Sequence, residues 1–121
     1  MGEKFNLKGS KTDIRYLNDD GVNYFVFDDI FRYIKKYDGF KEDPDDLFNL
    51  IEDDYLKTYN PDEFIYRNEA YIIGDKNDYK VPCISKYGII SIKYLKEECN
   101  CFDINKLLAL IEYIEKNIWI S

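Results

Sequence analysis

The segment Asn18-Asp19-Asp20-Gly21 constrains the fold most, because it separates two short stretches with the alternating apolar pattern of β-strands. An Asp-Gly pair suits the positive backbone angles of a tight hairpin turn. Residues 12–17 and 22–27 are therefore predicted to form an antiparallel hairpin. Residues 1–11 show no regular pattern, and we expect them to form a flexible arm ahead of a single domain at residues 12–121.

Two helices are predicted after the hairpin. Apolar residues recur at helical spacing from Ile30 onwards, with Asp28 or Asp29 as the expected cap and Gly39 as the expected end. The second helix begins at Asp43-Pro44, since proline is favoured at the first helical position. A Pro at position 61 then ends this helical region.

The second half of the chain alternates between strand and helix signals. Short strands are predicted at residues 64–66, 71–73 and 79–84. Ser85 is placed to cap a helix over residues 86–95, although the same stretch also alternates as a strand would. Asp103 is placed to cap a C-terminal core helix with apolar residues at helical spacing. The fold class is therefore α+β: an N-terminal hairpin, two helices, further short antiparallel strands and a C-terminal helix.

Length and hydropathy place further bounds on the chain. Its 121 residues suit one domain, since domains usually contain about 100–150 residues. No apolar run reaches the roughly 18 residues that a membrane span requires. The first residues also lack the apolar stretch of a secretory signal. We therefore expect a cytoplasmic protein that has no membrane partner.

The chain contains no histidine and three cysteines, at positions 83, 99 and 101. The missing histidine excludes the Ser-His-Asp and Cys-His nucleophile systems, because the proton acceptor is lacking. An odd cysteine count without an export signal indicates reduced thiols. The cysteines also lack the four-ligand pattern of a structural zinc site. We expect no metal, no cofactor and no catalysis.

The negative charge is concentrated in one segment. The formal net charge is −7, and residues 38–63 hold ten acids and two bases, which leaves 14 acids and 15 bases elsewhere. This pattern is typical of either a solvated helix face or a docking surface for a basic partner. The acidic face that we predict as a partner-binding surface comprises Asp43, Asp45, Asp46, Asp53 and Asp54.

Two stretches resemble the N-terminal Bro domain of phage antirepressors and viral Bro proteins. The first is DIRYLNDDGVNYFVFDDIFRYI at residues 13–34, a hairpin whose aromatic-rich second strand continues into an acid-rich helix start. The second is PCISKYGIISI at residues 82–92, where Ile84, Ser85, Gly88 and Ile89 match the family's junction between a strand and a helix. Together with the last helix, the resemblance covers roughly residues 12–118.

The resemblance implies a non-catalytic regulatory protein of a phage or mobile element, which acts by binding DNA or another regulator. Lysine and arginine are the side chains that contact phosphates and read guanine. The DNA-contacting candidates are therefore Arg15 on the hairpin, Arg32, Lys35 and Lys36 on the first helix, and Lys86 and Lys93 around the glycine junction. Scattered solubilising charge is the competing interpretation of these bases.

Two alternatives from other classes remain. A small acidic protein also suits an inhibitor of a host nucleic-acid-binding defence complex, like the phage anti-CRISPR proteins, with carboxylates facing arginines that normally hold phosphates. The enzymatic alternative is a metal-dependent nuclease. Pro61-Asp62 and Asp78-Tyr79-Lys80 have the spacing of a PD-(D/E)xK site, in which two carboxylates hold a divalent cation.

Overall fold

A computed structural model of the protein describes residues 2–36, 43–64 and 80–118. These residues form a five-stranded sheet with the strand order β1-β2-β3-β5-β4, in which every neighbouring pair is antiparallel. The strands are β1 (Glu3–Asn6), β2 (Asp13–Asp19), β3 (Val22–Val26), β4 (Leu56–Tyr59) and β5 (Val81–Ser85).

Four α-helices accompany the sheet in the described residues. They are α1 (Phe27–Ile34), α2 (Pro44–Phe48), α3 (Lys86–Ser91) and α4 (Ile104–Asn117). Short 3₁₀ turns occur at Asp53–Tyr55, Pro61–Glu63 and Ile92–Leu95. The predicted α+β class is confirmed. None of the described helices reaches the length and apolar content that crossing a bilayer requires.

The hairpin of β2 and β3 forms as predicted. Asp20 and Gly21 have φ values of 54° and 87°, the positive angles that a two-residue turn of this kind needs. The Asn18 side chain accepts a hydrogen bond from the Gly21 amide at 3.1 Å, which fixes the turn further. The local sequence is therefore sufficient to specify this element.

The prediction of a flexible arm at residues 1–11 is wrong for β1. This strand pairs with β2, with Glu3 opposite Tyr16 and Asn6 opposite Asp13. Phe5 holds it in place, because its ring lies 4.9 Å from that of Tyr113 on α4 and 5.7 Å from that of Tyr16. One aromatic anchor on an edge strand leaves no alternating pattern in the sequence, and only the tertiary packing reveals it.

The predicted caps at Ser85 and Asp103 are confirmed, and so is the predicted helix start at Asp43-Pro44, where Asp43 is the cap. Asp43 accepts a hydrogen bond from the Asp45 amide, Ser85 from the Gly88 amide, and Asp103 from the Asn105 and Lys106 amides. The ambiguous stretch after Ser85 is helical, as α3 followed by a 3₁₀ turn. These caps satisfy amides that have no partner within the helix.

The predicted cap of α1 is wrong. The residue before the helix is Val26, which makes no side-chain capping bond, and both candidate aspartates lie inside the first turn. Asp29 is instead buried beside Arg15 of β2. The predicted end at Gly39 is also wrong, because α1 ends at Ile34 and Lys35 already leaves the helical conformation. The predicted strand at residues 71–73 lies outside the described residues.

Strand β4, like β1, was not predicted, and the prediction of a strand at residues 64–66 is largely untested. Strand β4 (Leu56–Tyr59) lies at the sheet edge and pairs with β5. It follows an acidic segment and was predicted as part of a helical region. Of the predicted strand at residues 64–66, only Phe64 is described, and it closes the 3₁₀ turn that begins at Pro61.

The core lies on both faces of the sheet. Phe25 of β3 and Ile84 of β5 pack on one face beneath α1, α3 and α4, together with buried residues such as Ile30 and Leu107. A smaller cluster on the other face includes Val26 and Cys83. The alternation of neighbours between the two faces follows from the two-residue period of a strand.

The cysteines differ from the prediction of reduced thiols. Cys99 and Cys101 form a disulfide, with their Cα atoms 5.4 Å apart. Cys83 is free and buried. Only one residue separates the paired cysteines along the chain. The odd number of cysteines in the sequence did not indicate that these two would pair.

Candidate anion-binding groove

A groove with a volume of about 570 Å³ lies where three segments meet. They are the loop between β1 and β2, the C-terminal end of α1, and the first turn of α4. Among the described residues, its lining contains five cationic side chains and no carboxylate. The lining residues are Lys8, Gly9, Ser10, Lys11, Thr12, Arg32, Tyr33, Lys35 and Lys106.

The loop between β1 and β2 supplies two of the cations. Gly9 has a φ of 85°, in the left-handed region that favours glycine, and lets the chain turn sharply. The Ser10 amide donates to the Leu7 carbonyl at 2.9 Å, and the Thr12 amide donates to Ser10 Oγ at 3.0 Å. This turn presents Lys8 and Lys11 as exposed side chains on either side of the glycine.

Contacts between α1 and the start of α4 bring the remaining cations together. The Asp103 amide donates to the Ile34 carbonyl at 2.7 Å, and Lys35 forms an isolated β-bridge with Phe102. Lys106 Nζ donates to the Lys35 carbonyl at 3.3 Å. The end of one helix is therefore fixed against the beginning of another, so their lysines share one groove.

Two carboxylates close to lining residues, Asp29 beside Arg32 and Asp103 beside Lys106, are already engaged. Asp29 accepts from Arg15 Nε at 2.8 Å and from Arg15 Nη2 at 3.0 Å, and its Oδ1 lies 3.5 Å from Arg32 Nη1. Asp103 accepts from two amides as the cap of α4. Their charges reduce the positive potential, but the five lining cations outnumber them, so the groove attracts anions.

Tyr33 adds a neutral hydroxyl to this cationic lining. Partial burial raises the pKa of its phenol, and the nearby negative charge of Asp103 raises it further. The phenol therefore stays protonated at neutral pH and is able to donate a hydrogen bond.

The structure brings together only some of the predicted DNA-contacting residues. Arg32 and Lys35 line the groove, and the Arg32 side chain is 58% exposed. Lys36 is not among the lining residues. Arg15 is held by the buried Asp29 in a bidentate pair, to which its backbone amide adds a third bond. Arg15 therefore has a structural role.

Lys86 and Lys93 lie on a separate surface formed by α3 and the 3₁₀ turn after it. Each ammonium lies over the ring of the next residue, 5.4 Å from Tyr87 and 5.6 Å from Tyr94. Both tyrosines are exposed, by 54% and 75%. These lysines are thus part of an aromatic surface and do not extend the groove.

Sequence reasoning missed Lys8, Lys11 and Lys106. The first two lie in the stretch that was predicted to be a flexible arm, and Lys106 lies in the C-terminal helix, which was predicted from its cap and its apolar residues alone. The run Lys8-Gly9-Ser10-Lys11-Thr12 carried a usable signal, since two lysines flank a glycine that permits a tight turn. The spacing of residues in the sequence did not indicate that this loop would lie next to α1 and α4.

The predicted acidic face is exposed. Asp43, Asp45 and Asp46 lie at the cap and first turn of α2, and Asp53 and Asp54 lie in the following 3₁₀ turn. All five are classed as exposed, and none forms an ion pair within the described part of the chain. Their positions at helix starts are favourable, because the helix dipole attracts anions there.

The PD-(D/E)xK pattern is not assembled within the described residues. Asp62 is exposed in a 3₁₀ turn, and Lys80 Nζ donates to Asn60 Oδ1. Asp78 lies outside the described residues. Residues 2–36, 43–64 and 80–118 contain no group of three or more acidic or cysteine side chains placed to hold a metal ion.

Cys83 has no features of a nucleophile. Burial raises the pKa of its thiol to about 12, so the reactive thiolate is scarce at neutral pH. Its Sγ lies 3.7 Å from the Val81 carbonyl oxygen, toward which the thiol donates. This cysteine belongs to the smaller core cluster.

The fold and the groove together define a mixed α+β protein with a concave cationic surface on an acidic chain. No family model matches the sequence, and comparisons with curated proteins and with solved structures give no match.

Proposed function

We propose that the protein is a non-catalytic regulator that binds DNA, and that the groove lined by Lys8, Lys11, Arg32, Lys35 and Lys106 holds backbone phosphates. The observation that carries this proposal is the convergence of five cations from three segments in one groove, whose described lining residues include no carboxylate. Hydrogen bonds from lysine and arginine to phosphate are charge-assisted and therefore stronger than neutral ones.

The net charge of −7 does not oppose this function. At physiological salt the Debye length is about 8 Å, so a phosphate in the groove senses mainly the nearby cations. The acids of residues 43–63 are exposed to water, where screening is strong. The local field therefore decides where DNA approaches, and the remote acids decide which surfaces it avoids.

The resemblance to the Bro-N family supports the same function. Arg32, which lines the groove, belongs to the hairpin-and-helix stretch at residues 13–34 that carries the resemblance, and Lys35, which also lines the groove, directly follows that stretch. Regulation by binding DNA or another regulator is what this likeness implies. A phage or mobile-element regulator is therefore the role that we propose.

Fluorescence anisotropy with a labelled DNA duplex tests the proposal. Affinity is measured between 50 and 200 mM salt, because each neutralised phosphate changes the slope of log K against log salt by about 0.9. We expect the unmodified protein to bind with a clear salt dependence. The triple variant Lys8→Gln, Lys11→Gln, Lys106→Gln should lose at least tenfold in affinity and should show a shallower slope.

A matched control separates the groove from total charge. Lys80→Gln, Lys96→Gln, Lys116→Gln removes the same charge from exposed lysines that do not line the groove. This control should retain most of the affinity. Equal losses in the two triple variants would contradict a groove-specific contact, and absence of binding by the unmodified protein at 50 mM salt would reject DNA binding.

The exposed acids favour a second candidate function, inhibition of a nucleic-acid-binding protein by charge mimicry. Asp43, Asp45, Asp46, Asp53 and Asp54 are exposed and make no ion pair within the described ranges. Carboxylates in this state are free to meet arginines that normally hold phosphates.

This second function is tested by competition. The protein should displace labelled DNA from a basic host nucleic-acid-binding complex, and replacing the five aspartates by asparagine should abolish the displacement. Unchanged displacement by the five-fold variant would reject the acidic-face mechanism. The groove variants serve as controls, because they leave every one of these aspartates in place.

A further inference from the structure

We propose that the groove also binds a nucleoside polyphosphate, and that this small ligand competes with DNA. The binding site is the groove of the proposed function, but ligand binding itself does not depend on DNA being the natural partner. Only the competition rests on the proposed function.

The arrangement of charge favours a compact anion. Duplex DNA spreads its phosphates along a track, with one charge for about every 1.7 Å of helix axis. Here the cations come from the loop before β2, the end of α1 and the start of α4, and they surround one concavity. A di- or triphosphate places three or four negative charges within a few ångströms, so all of them can lie within this one concavity.

The size of the groove agrees with such a ligand. Its volume of about 570 Å³ falls within the range of about 300–1,000 Å³ that is typical of small-molecule sites. A triphosphate next to the lysines leaves room for a sugar and a base. Tyr33 is the aromatic residue of the lining and offers both ring surface and a hydroxyl.

The loop geometry leaves the groove accessible at Gly9. A Cβ atom placed on this residue would meet no heavy atom within 4 Å, so the space above the glycine is open. A phosphate could therefore approach the backbone closely while Lys8 and Lys11 contact it from either side. Close backbone approach to phosphate is a common use of glycine in nucleotide sites.

Competition follows from the shared side chains. The lysines and the arginine that would hold DNA phosphates are the same ones that would hold the polyphosphate. Two ligands that need the same cations exclude each other, and each lowers the apparent affinity for the other. A nucleotide would then release the regulator from DNA.

Calorimetric titration of the full chain with ATP, ADP, AMP and adenosine, in EDTA and at constant ionic strength, tests the ligand. We expect affinity to rise with phosphate number, at least tenfold from AMP to ATP, and adenosine to show no binding. Lys11→Gln, Lys106→Gln should reduce ATP affinity at least tenfold. The matched control Lys80→Gln, Lys116→Gln should keep it, and circular dichroism should show that both variants are folded.

Several outcomes would overturn the proposal. ATP binding that is absent, that is equalled by adenosine, or that falls equally in both double variants would each reject a polyphosphate site in the groove. Inorganic tripolyphosphate that binds more than tenfold tighter than ATP would reject the nucleoside part.

The anisotropy assay distinguishes this failure from that of the proposed function. ATP that binds but does not displace bound duplex would reject the competition. ATP binding without any DNA binding would overturn the DNA function and leave the nucleotide site standing. DNA binding without ATP binding would overturn the nucleotide site and leave the DNA function standing.

Discussion

At the residue scale, the buried ion pair of Asp29 and Arg15 decides which bases are available for binding. Asp29 is buried and accepts three hydrogen bonds from Arg15, two from the guanidinium and one from the backbone amide. A buried carboxylate is tolerated only when it is paired in this way. The pair fixes the start of α1 to β2, and it removes Arg15 from the set of DNA contacts.

Replacing Asp29 by alanine should therefore destabilise the fold. We expect a loss of about 3 kcal/mol in the free energy of unfolding, at the low end for a broken buried pair, because the Arg15 side chain is 33% exposed and regains water. Urea denaturation measures this change. Asp28→Ala is the matched control, because the carboxylate of Asp28 is next in sequence to Asp29 but is exposed. This substitution should cost under about 1 kcal/mol.

A second residue cluster links β2 to β4 across the sheet. Asp19 accepts from Lys57 Nζ at 2.6 Å and from the Tyr59 hydroxyl at 2.6 Å. These bonds hold the pKa of Asp19 below its usual value, with the lysine bond as the larger cause. The strands are not neighbours in the sheet, so this contact was not predictable from the sequence.

Asp19 should make stability depend on pH in the acid range. Because its pKa is lower in the folded state, its contribution is complete above the unfolded pKa of about 3.9 and is lost as pH falls through the folded value. Asp19→Asn should lose less stability between pH 5 and pH 2 than the unmodified chain, as measured by urea midpoints. Asp20→Asn, on the exposed turn, should follow the unmodified chain, and identical curves for all three proteins would contradict the link.

At the element scale, α3 shows how one glycine sets the distance between a helix and its neighbours. A Cβ atom on Gly88 would lie 2.5 Å from Ile84 Cγ1 and 2.7 Å from Tyr55 Cβ. Both are far inside ordinary contact distance. Gly88 therefore allows α3 to approach β5 and the 3₁₀ turn that precedes β4.

We expect Gly88→Ala to destabilise the protein despite the better helix propensity of alanine. Overpacking costs about 1–3 kcal/mol and the propensity gain is about 1 kcal/mol, so a net loss of up to about 2 kcal/mol should result. Thermal or urea unfolding measures it. Tyr87→Ala on the same helix is the control and should change stability little, because that side chain is 54% exposed. A Gly88→Ala variant as stable as this control would contradict the close approach.

The elements differ in how far the sequence predicted them, and the difference has a physical cause. The hairpin turn, the start of α2 at Asp43-Pro44 and the caps at Ser85 and Asp103 depend on interactions within four residues, and all were predicted. Strands β1 and β4 depend on packing by distant partners, such as Tyr113 for Phe5, and both were missed. The α1 cap was mispredicted because Asp29 found a stronger partner on another element.

At the scale of the whole molecule, charge is separated into a cationic groove and an exposed acidic segment. The groove lining has five cations, while the chain as a whole carries a net charge of −7. The separation has opposite consequences for the two candidate functions. Neutralising the acids relieves repulsion of DNA, but it removes the contacts that charge mimicry requires.

The five-fold variant Asp43→Asn, Asp45→Asn, Asp46→Asn, Asp53→Asn, Asp54→Asn separates these functions. It changes the formal net charge from −7 to −2. If the groove binds DNA, affinity for a duplex at 50 mM salt should rise several-fold, and anisotropy measures this change. A fall in DNA affinity would contradict the view that these acids only repel DNA.

The sequence by itself determined the α+β class, the β2–β3 hairpin, the start of α2, two helix caps and the exposed acidic segment. These features depend on backbone preferences and on bonds between near neighbours. It also provided two groove residues, Arg32 and Lys35, as bases on one helix. Only the tertiary structure places them in one groove with Lys8, Lys11 and Lys106. It also pairs Arg15 with the buried Asp29. A groove depends on which segments pack together, and side chains from residues 8–12, 32–35 and 106 meet only after the sheet and helices have closed around a common core.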